Sequence, residues 1–315
     1  MTNKKKRRYR LRNWPEYNRC LVARGSLTAW VSDDLLGAWR AHERTGRRGS
    51  PRTYSEAAVL CMATLGEVYR LPLRATEGLL RSVLRLLGLE LPAPDHTTLC
   101  RRRRALKVRL PRRRKGEPLH LVVDSTGVKV FGEGEWKVRA HGYTKRRTWR
   151  KLHLAVDEAT GEVAAAAVTT NSFKDSELLP DLLGGVTGEV AQVSADGGYD
   201  SRNCYDAIRA RGARPAIPPQ KRARIWRHGN ARAERHARDE NLRRIRQVGR
   251  TRWKHESGYH RRSLAETAVF RVKMIFGERV GARSFAGQAS QMLVRCAALN
   301  RMTHLGMPDS YAVAA

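Results

Sequence analysis

KHESGYHRRSLAETAVFRVKMIF, residues 254–276, carries no proline and places Leu264, Ala268, Val269, Val272 and Ile275 at helical spacing, which predicts a helix of about five turns. On such a helix Tyr259, Arg262, Glu266 and Lys273 return to one face at about 100° per residue, so one acid is flanked by two cations and a phenol. Taken alone, this is also the pattern of i,i+4 ion pairing on a solvated face. The surrounding chain decides between the two.

With 315 residues the chain can bury a full core and hold two domains, one large and one small. Its 62 Lys+Arg against 30 Asp+Glu leave a net charge of +32. That excess disfavours an ordinary enzyme of a small neutral metabolite, because self-repulsion opposes the compact state until a polyanion neutralises it. Nucleic acid is the expected partner. A membrane surface is the weaker alternative, since the basic residues are spread along the chain and not gathered on one amphipathic helix. No run approaches the roughly 20 apolar residues of a membrane span, and the basic start KKKRRYRLR is not followed by an apolar signal-type segment. A cytoplasmic, nucleoid-associated protein is expected. Cys20, Cys61, Cys100, Cys204 and Cys296 stand apart with no C-x-x-C pair, so they read as reduced and mostly buried thiols.

Residues 1–12 read as a basic arm, either a solvated tail or a phosphate-contacting one. Residues 13–110 read as an all-helical domain. The segment from Trp14 to Trp39 suits one or two short helices. Ala57, Ala58, Cys61, Leu65 and Val68 then mark a helix capped by Ser55, and Leu79, Leu80, Val83, Leu84 and Leu87 a second, stopping at Gly88. Asp95 caps a third, HTTLCRRRRAL. Its Arg101, Arg102, Arg103 and Arg104 suggest a helix-turn-helix-like DNA-binding domain with the third element in a groove, or else a bundle with one basic solvent face. PRRRKGEP, residues 111–118, is the expected linker.

From residue 119 the pattern turns to strands. HLVVD ending at Asp124, RKLHLAVD at 150–157 and EVAAAAVTT at 162–170 form an antiparallel meander, and KDSELLPDLL at 174–183 a helix. EVAQVSAD ending at Asp196, a helix at SRNCYDAIRARG and a fifth strand in ARPAIP follow. Residues 218–253 read as a basic connector, SQMLVRCAALNRMTHLG as a closing helix, and 306–315 as a tail. The expected fold class is therefore α/β: a mixed five-stranded sheet flanked by helices over residues 119–305, in the element order of an RNase H-like domain. There the first and fourth strands are central neighbours, so Asp124 and Asp196 sit together at strand ends. Asp157 and Asp200 read as caps of a turn and of the following helix. Carboxylates placed so are costly to bury without a cation. With Glu266 approaching from a later helix they suit Mg²⁺, a hard ion that takes carboxylate and phosphate oxygens, with Mn²⁺ as a substitute and two ions at the site. Trp136, Trp149, Trp226 and Trp253 lie in basic surroundings, where packing is the plainer role and base stacking the alternative.

DST at Asp124, SADGGYDS around Asp196, and above all Tyr259-x2-Arg262-x3-Glu266-x6-Lys273 resemble bacterial insertion-sequence transposases of the DDE type. The last signature matches that group's Y-x2-R-x3-E-x6-K pattern at every spaced position, and the resemblance runs from about Asn13 to residue 304. It implies Asp124, Asp196 and Glu266 as the metal-binding triad, with Tyr259, Arg262 and Lys273 on DNA phosphates near the cleaved bond. It also implies two steps at one site: water frees a 3′-hydroxyl at the element's terminal inverted repeat, and that hydroxyl attacks a target phosphate. Such enzymes work as homodimers or larger assemblies on double-stranded DNA. Two other readings share these residues: an RNase H-like nuclease that cuts without joining, and a non-catalytic DNA-binding regulator.

Overall fold

The computed structural model describes residues 8–41, 52–110, 112, 116–130, 149–226 and 235–313. Its N-terminal part is helical after a short strand, β1 (Arg8–Leu11): α1 (Trp14–Ala23), α2 (Asp33–Gly37), α3 (Glu56–Val68), α4 (Leu73–Leu86) and α5 (His96–Arg102), the last tightening into a 3₁₀ turn at Arg103–Ala105. Local chemistry explains these boundaries. Ser55 accepts the Ala58 amide at 3.1 Å, Pro72 precedes α4, and Asp95 accepts the amides of Thr97 and Thr98 at 2.8 and 2.9 Å. Gly66 lets α3 approach α4, since a Cβ there would stand 2.9 Å from Thr76 Oγ1.

The sheet follows: β2 (Leu119–Val130), β3 (Trp149–Asp157), β4 (Val163–Thr170), α6 (Asp175–Gly184), β5 (Val190–Ser194), α7 (Arg202–Ala210) and β6 (Arg214–Ala216). Then come α8 (Ala237–Val248), α9 (Arg250–Glu256), α10 (Ser263–Phe276), β7 (Arg279–Val280), α11 (Phe285–Leu305) and β8 (Ser310–Val313). The spatial order is β4-β3-β2-β5-β6, with β2–β3–β4 antiparallel and β5 and β6 parallel to β2. This is the mixed, helix-flanked sheet of an RNase H-like domain.

Several expectations need correction. The sheet has six strands among the described residues, not five, because β7 adds two residues beside Lys129 and Val130. Asp124 is not a strand end, for β2 runs on to Val130. The basic connector contains α8 and α9. The arm and the tail pair with each other, Tyr9 opposite Ala312, so residues 8–11 are an ordered strand. The helix over 254–276 is broken: α9 stops at Glu256, Gly258 is left-handed with φ +68°, and a 3₁₀ turn at Tyr259–Arg262 leads into α10. Ser257-Gly258 is a helix stop, which apolar spacing alone does not register.

Two apolar layers enclose the sheet. On one face Val122, Leu152, Leu154 and Val156 join Ala265, Ala268 and Val272 of α10, Leu299 of α11, and Met62 and Leu65 of α3 in one continuous core. The helical N-terminal layer therefore shares its core with the sheet, and residues 111–118 separate two kinds of structure, not two cores. On the other face Leu121, Val123 and Ala155 pack on Leu179, Leu182 and Leu183 of α6 and on Ile208 of α7.

A polar joint ties the N-terminal layer to the end of α10. Glu67 accepts from Arg295 Nε at 2.7 Å and faces Arg103 at 3.8 Å, while Arg295 donates to the carbonyls of Gly277 and Arg279. Arg70, at φ +54°, donates to the Ile275 carbonyl at 2.7 Å and to that of Met274. Four last-turn carbonyls that an isolated helix leaves unpaired thus find partners in other elements. Arg103 is committed to this joint, and Arg102 donates to the Tyr54 carbonyl. Of the four arginines expected on DNA, only Arg101 and Arg104 stay exposed.

Candidate active site

The parallel pairing of β2 with β5 builds the site. Val122 is opposite Ser194, and carrying that register two residues further sets Asp196 beside Asp124. β5 has ended by then, and β7 joins the same edge of β2 only at Lys129, so this edge opens between the two strands. Asp124 sits there with its side chain 19% exposed, its Oδ1 accepting the Ser125 amide at 2.9 Å. Asp196 caps the 3₁₀ turn Gly197–Tyr199, accepting the Gly198 amide at 2.8 Å. The paired glycines follow from this, because a Cβ on Gly198 would lie 2.9 Å from Asp196 Oδ1.

From the other side α10 packs across β2 and β3, its first turn over Asp124. Arg262 reaches Asp124 Oδ2 at 3.4 Å with Nη1 and contacts Glu266 Oε1 with Nη2, so one guanidinium spans two of the three acids. Tyr259 places its ring 5.9 Å from the Arg262 guanidinium, with Trp253 and Lys254 beside it. Lys273 stands half-buried two turns beyond Glu266 on the same helix face, about 10 Å along the axis. The broken helix therefore still gathers Tyr259, Arg262 and Glu266, because the 3₁₀ turn runs into α10 without reversing direction.

The three acids share one field. Burial pushes the Asp124 carboxyl above the usual carboxylate range; the Ser125 amide and Arg262 pull it down, and the charges of Asp196 and Glu266 push it up again. Burial likewise raises the Tyr259 phenol, and Asp196 and Glu266 add to the rise. Arg262 is held above its ordinary value: burial works against its charge, but Tyr259, Asp124, Glu266 and Asp196 together outweigh it. One cation leaves three carboxylates undercompensated, and the donor set, all hard oxygens, has the chemistry of a divalent metal site. Among the described residues no three His, Cys, Asp or Glu side chains stand close enough to ligate one ion together. The Arg262 guanidinium is interposed between two of them.

Other residues organise the site without having been read as functional. Asp200, expected as a helix cap, instead pairs with Arg238, Nε to Oδ1 at 2.6 Å, and also accepts the Gln220 amide at 3.0 Å; Ser201 caps α7. Arg238 lies 3.9 Å over the Trp226 ring, so α8 is clamped to the loop that carries Asp196. Gln192, buried in β5, donates to the Ser257 carbonyl at 3.0 Å and so fixes the turn before Tyr259. A glutamine inside the apolar run EVAQVSAD was its only sequence signal. Asp157 does cap its turn, accepting from Ala159 and Thr160. Trp253 is buried and Trp149 half-buried; Trp136 lies outside the described residues. Cys61, Cys204 and Cys296 are buried, Cys20 is half-buried and Cys100 exposed, all five free.

A sheet whose neighbouring parallel strands carry two aspartates to one edge, with an acid and a cation from a later helix above them, defines the RNase H-like class of nucleic-acid-cutting enzymes. The particular family follows. Two family models, each described as "Transposase DDE domain", match residues 22–133 and 115–301. The second spans more than half of the chain, which belongs to this family: a transposase, a DNA-cutting enzyme that depends on a divalent metal. No helix among the described residues is long and apolar enough to cross a membrane.

Proposed function

We propose that the protein is the transposase of an insertion sequence, binding its terminal inverted repeats and catalysing Mg²⁺-dependent strand cleavage and transfer into target DNA. The observation that carries this reading is the β2–β5 register, which brings Asp124 and Asp196 together under Glu266 and Arg262. Asp124, Asp196 and Glu266 are the residues that would hold the divalent ions. When bound, two such ions supply positive charge to the attacking and leaving oxygens of a phosphodiester. The protein's part is placement. Asp196 is aimed by its cap on the Gly197–Tyr199 turn, Asp124 by its amide bond within β2, and Glu266 by the rigid α10. Arg262, Lys273 and Tyr259 line the approach of the scissile phosphate, where a guanidinium fork matches phosphate oxygens in pairs. Arg101 and Arg104 extend the DNA surface. Two element ends cut and joined in concert call for a homodimer or larger assembly on DNA, and the charge of +32 suits residence on the nucleoid.

The test is incubation with supercoiled DNA carrying candidate ends in Mg²⁺, with sequencing of the junctions. Strand-transfer junctions are expected, and Asp124→Ala should abolish nicking while DNA binding persists. Nicking without junctions would replace this reading by a nuclease that does not join; no nicking at all would leave a DNA-binding regulator.

A further inference from the structure

We infer that Arg262 is an exchange residue: its guanidinium occupies the acids in the DNA-free protein and surrenders them to divalent metal when a DNA phosphate takes it up. This rests on the reading of Asp124, Asp196 and Glu266 as the ligands. Three observations carry it. Both oxygens of Asp124 are engaged, Oδ1 by the Ser125 amide and Oδ2 by Arg262, so Asp124 has to release one partner to ligate through the freed lone pairs. The same guanidinium also holds Glu266, whose side chain is 54% exposed and free to turn once released. Further, the Asp124–Arg262 contact is a single one at 3.4 Å between side chains each 19% exposed, loose enough to break.

A divalent ion and a guanidinium among the same carboxylates repel each other, so their occupancies are opposed. A phosphate offers the guanidinium a paired set of oxygens in place of the acids. DNA binding therefore raises metal affinity, and by linkage metal raises DNA affinity by the same factor. The consequence is an enzyme whose acids fill with metal on DNA and stay neutralised by Arg262 off it.

The test is titration of the full chain with Mn²⁺, followed by the electron paramagnetic resonance signal of the free ion, with and without a short non-specific duplex. DNA-only binding is subtracted using Asp124→Asn. In the wild type the duplex should tighten Mn²⁺ binding about tenfold. Arg262→Gln should bind Mn²⁺ about tenfold tighter without DNA and respond little to the duplex. Arg262→Lys, which keeps the charge but loses the fork, should fall between them. If both variants bind Mn²⁺ no tighter than wild type while Asp124→Asn binds none, the exchange is overturned and the ligand reading stands. If Asp124→Asn binds Mn²⁺ as wild type does, the ligand reading falls and the exchange with it.

Discussion

Two aspartate–arginine pairs lie close together in this sequence's site region and do opposite work. Asp200 and Arg238 meet with side chains 2% and 5% exposed, and the guanidinium also donates to Oδ2 at 3.2 Å and to the Arg224 carbonyl at 2.8 Å. Every strong donor and acceptor direction there is used, and Trp226 covers the guanidinium face. Asp124 and Arg262 meet once, at 3.4 Å, partly in solvent, and with two further acids in range. The same two residue types make a clamp where hydrogen bonding is complete and an exchangeable site where charge is left over. Satisfaction, not residue identity, separates structure from chemistry here.

That contrast can be broken at several points. Asp124→Asn should eliminate cleavage altogether yet move unfolding free energy by less than about 1 kcal/mol, since a loose, partly exposed ion pair contributes little. Asp200→Ala should do the reverse at its own site, costing about 3–5 kcal/mol in urea unfolding, because Arg238 is left buried without its counter-charge. Equal stability losses in the two variants would erase the distinction.

His153 offers an intermediate case. It is 1% exposed, hydrogen-bonded to Thr169 at 2.9 Å, and 3.9 Å from Asp175, yet burial pulls its pKa down to about 4, with Asp175 opposing and Lys151 assisting. Its folded pKa lies below the unfolded value of about 6.5, so the unfolded chain binds the extra proton between those values. Stability should be complete above pH 6.5 and decline by about 3 kcal/mol as pH falls towards 4. His153→Gln should flatten denaturation midpoints across that window; an unaltered slope would show that His153 is already charged.

Smaller effects sharpen the site itself. Gly198→Ala should lower cleavage about 100-fold by displacing Asp196, with circular dichroism unchanged. Among the arginines, Arg101→Ala and Arg104→Ala should each reduce the salt slope of DNA binding by about one. Arg103→Ala should leave that slope alone and lower stability by about 1–3 kcal/mol through the orphaned Glu67.

Much of this was legible beforehand because it is local. Alternating and continuous apolar runs marked β2, β3, β4 and β5; Ser55 and Asp95 announced their helices; and the spacing from Tyr259 to Lys273 singled out the functional stretch. The errors were local too where two signals competed. Apolar periodicity across 254–276 concealed the stop at Gly258, and the density of arginine at 218–253 concealed α8 and α9, whose amphipathic pattern is faint beneath the charge.

The chain's order of residues determined the element types, the basic character and the three acids, because propensity, periodicity and charge are properties of neighbours in sequence. Only the tertiary structure decided that Asp200 belongs to Arg238, that Arg102 and Arg103 turn inward, and that Arg262 spans Asp124 and Glu266. Those outcomes depend on desolvation and on which partners arrive from distant segments, and neither quantity exists until the chain has folded.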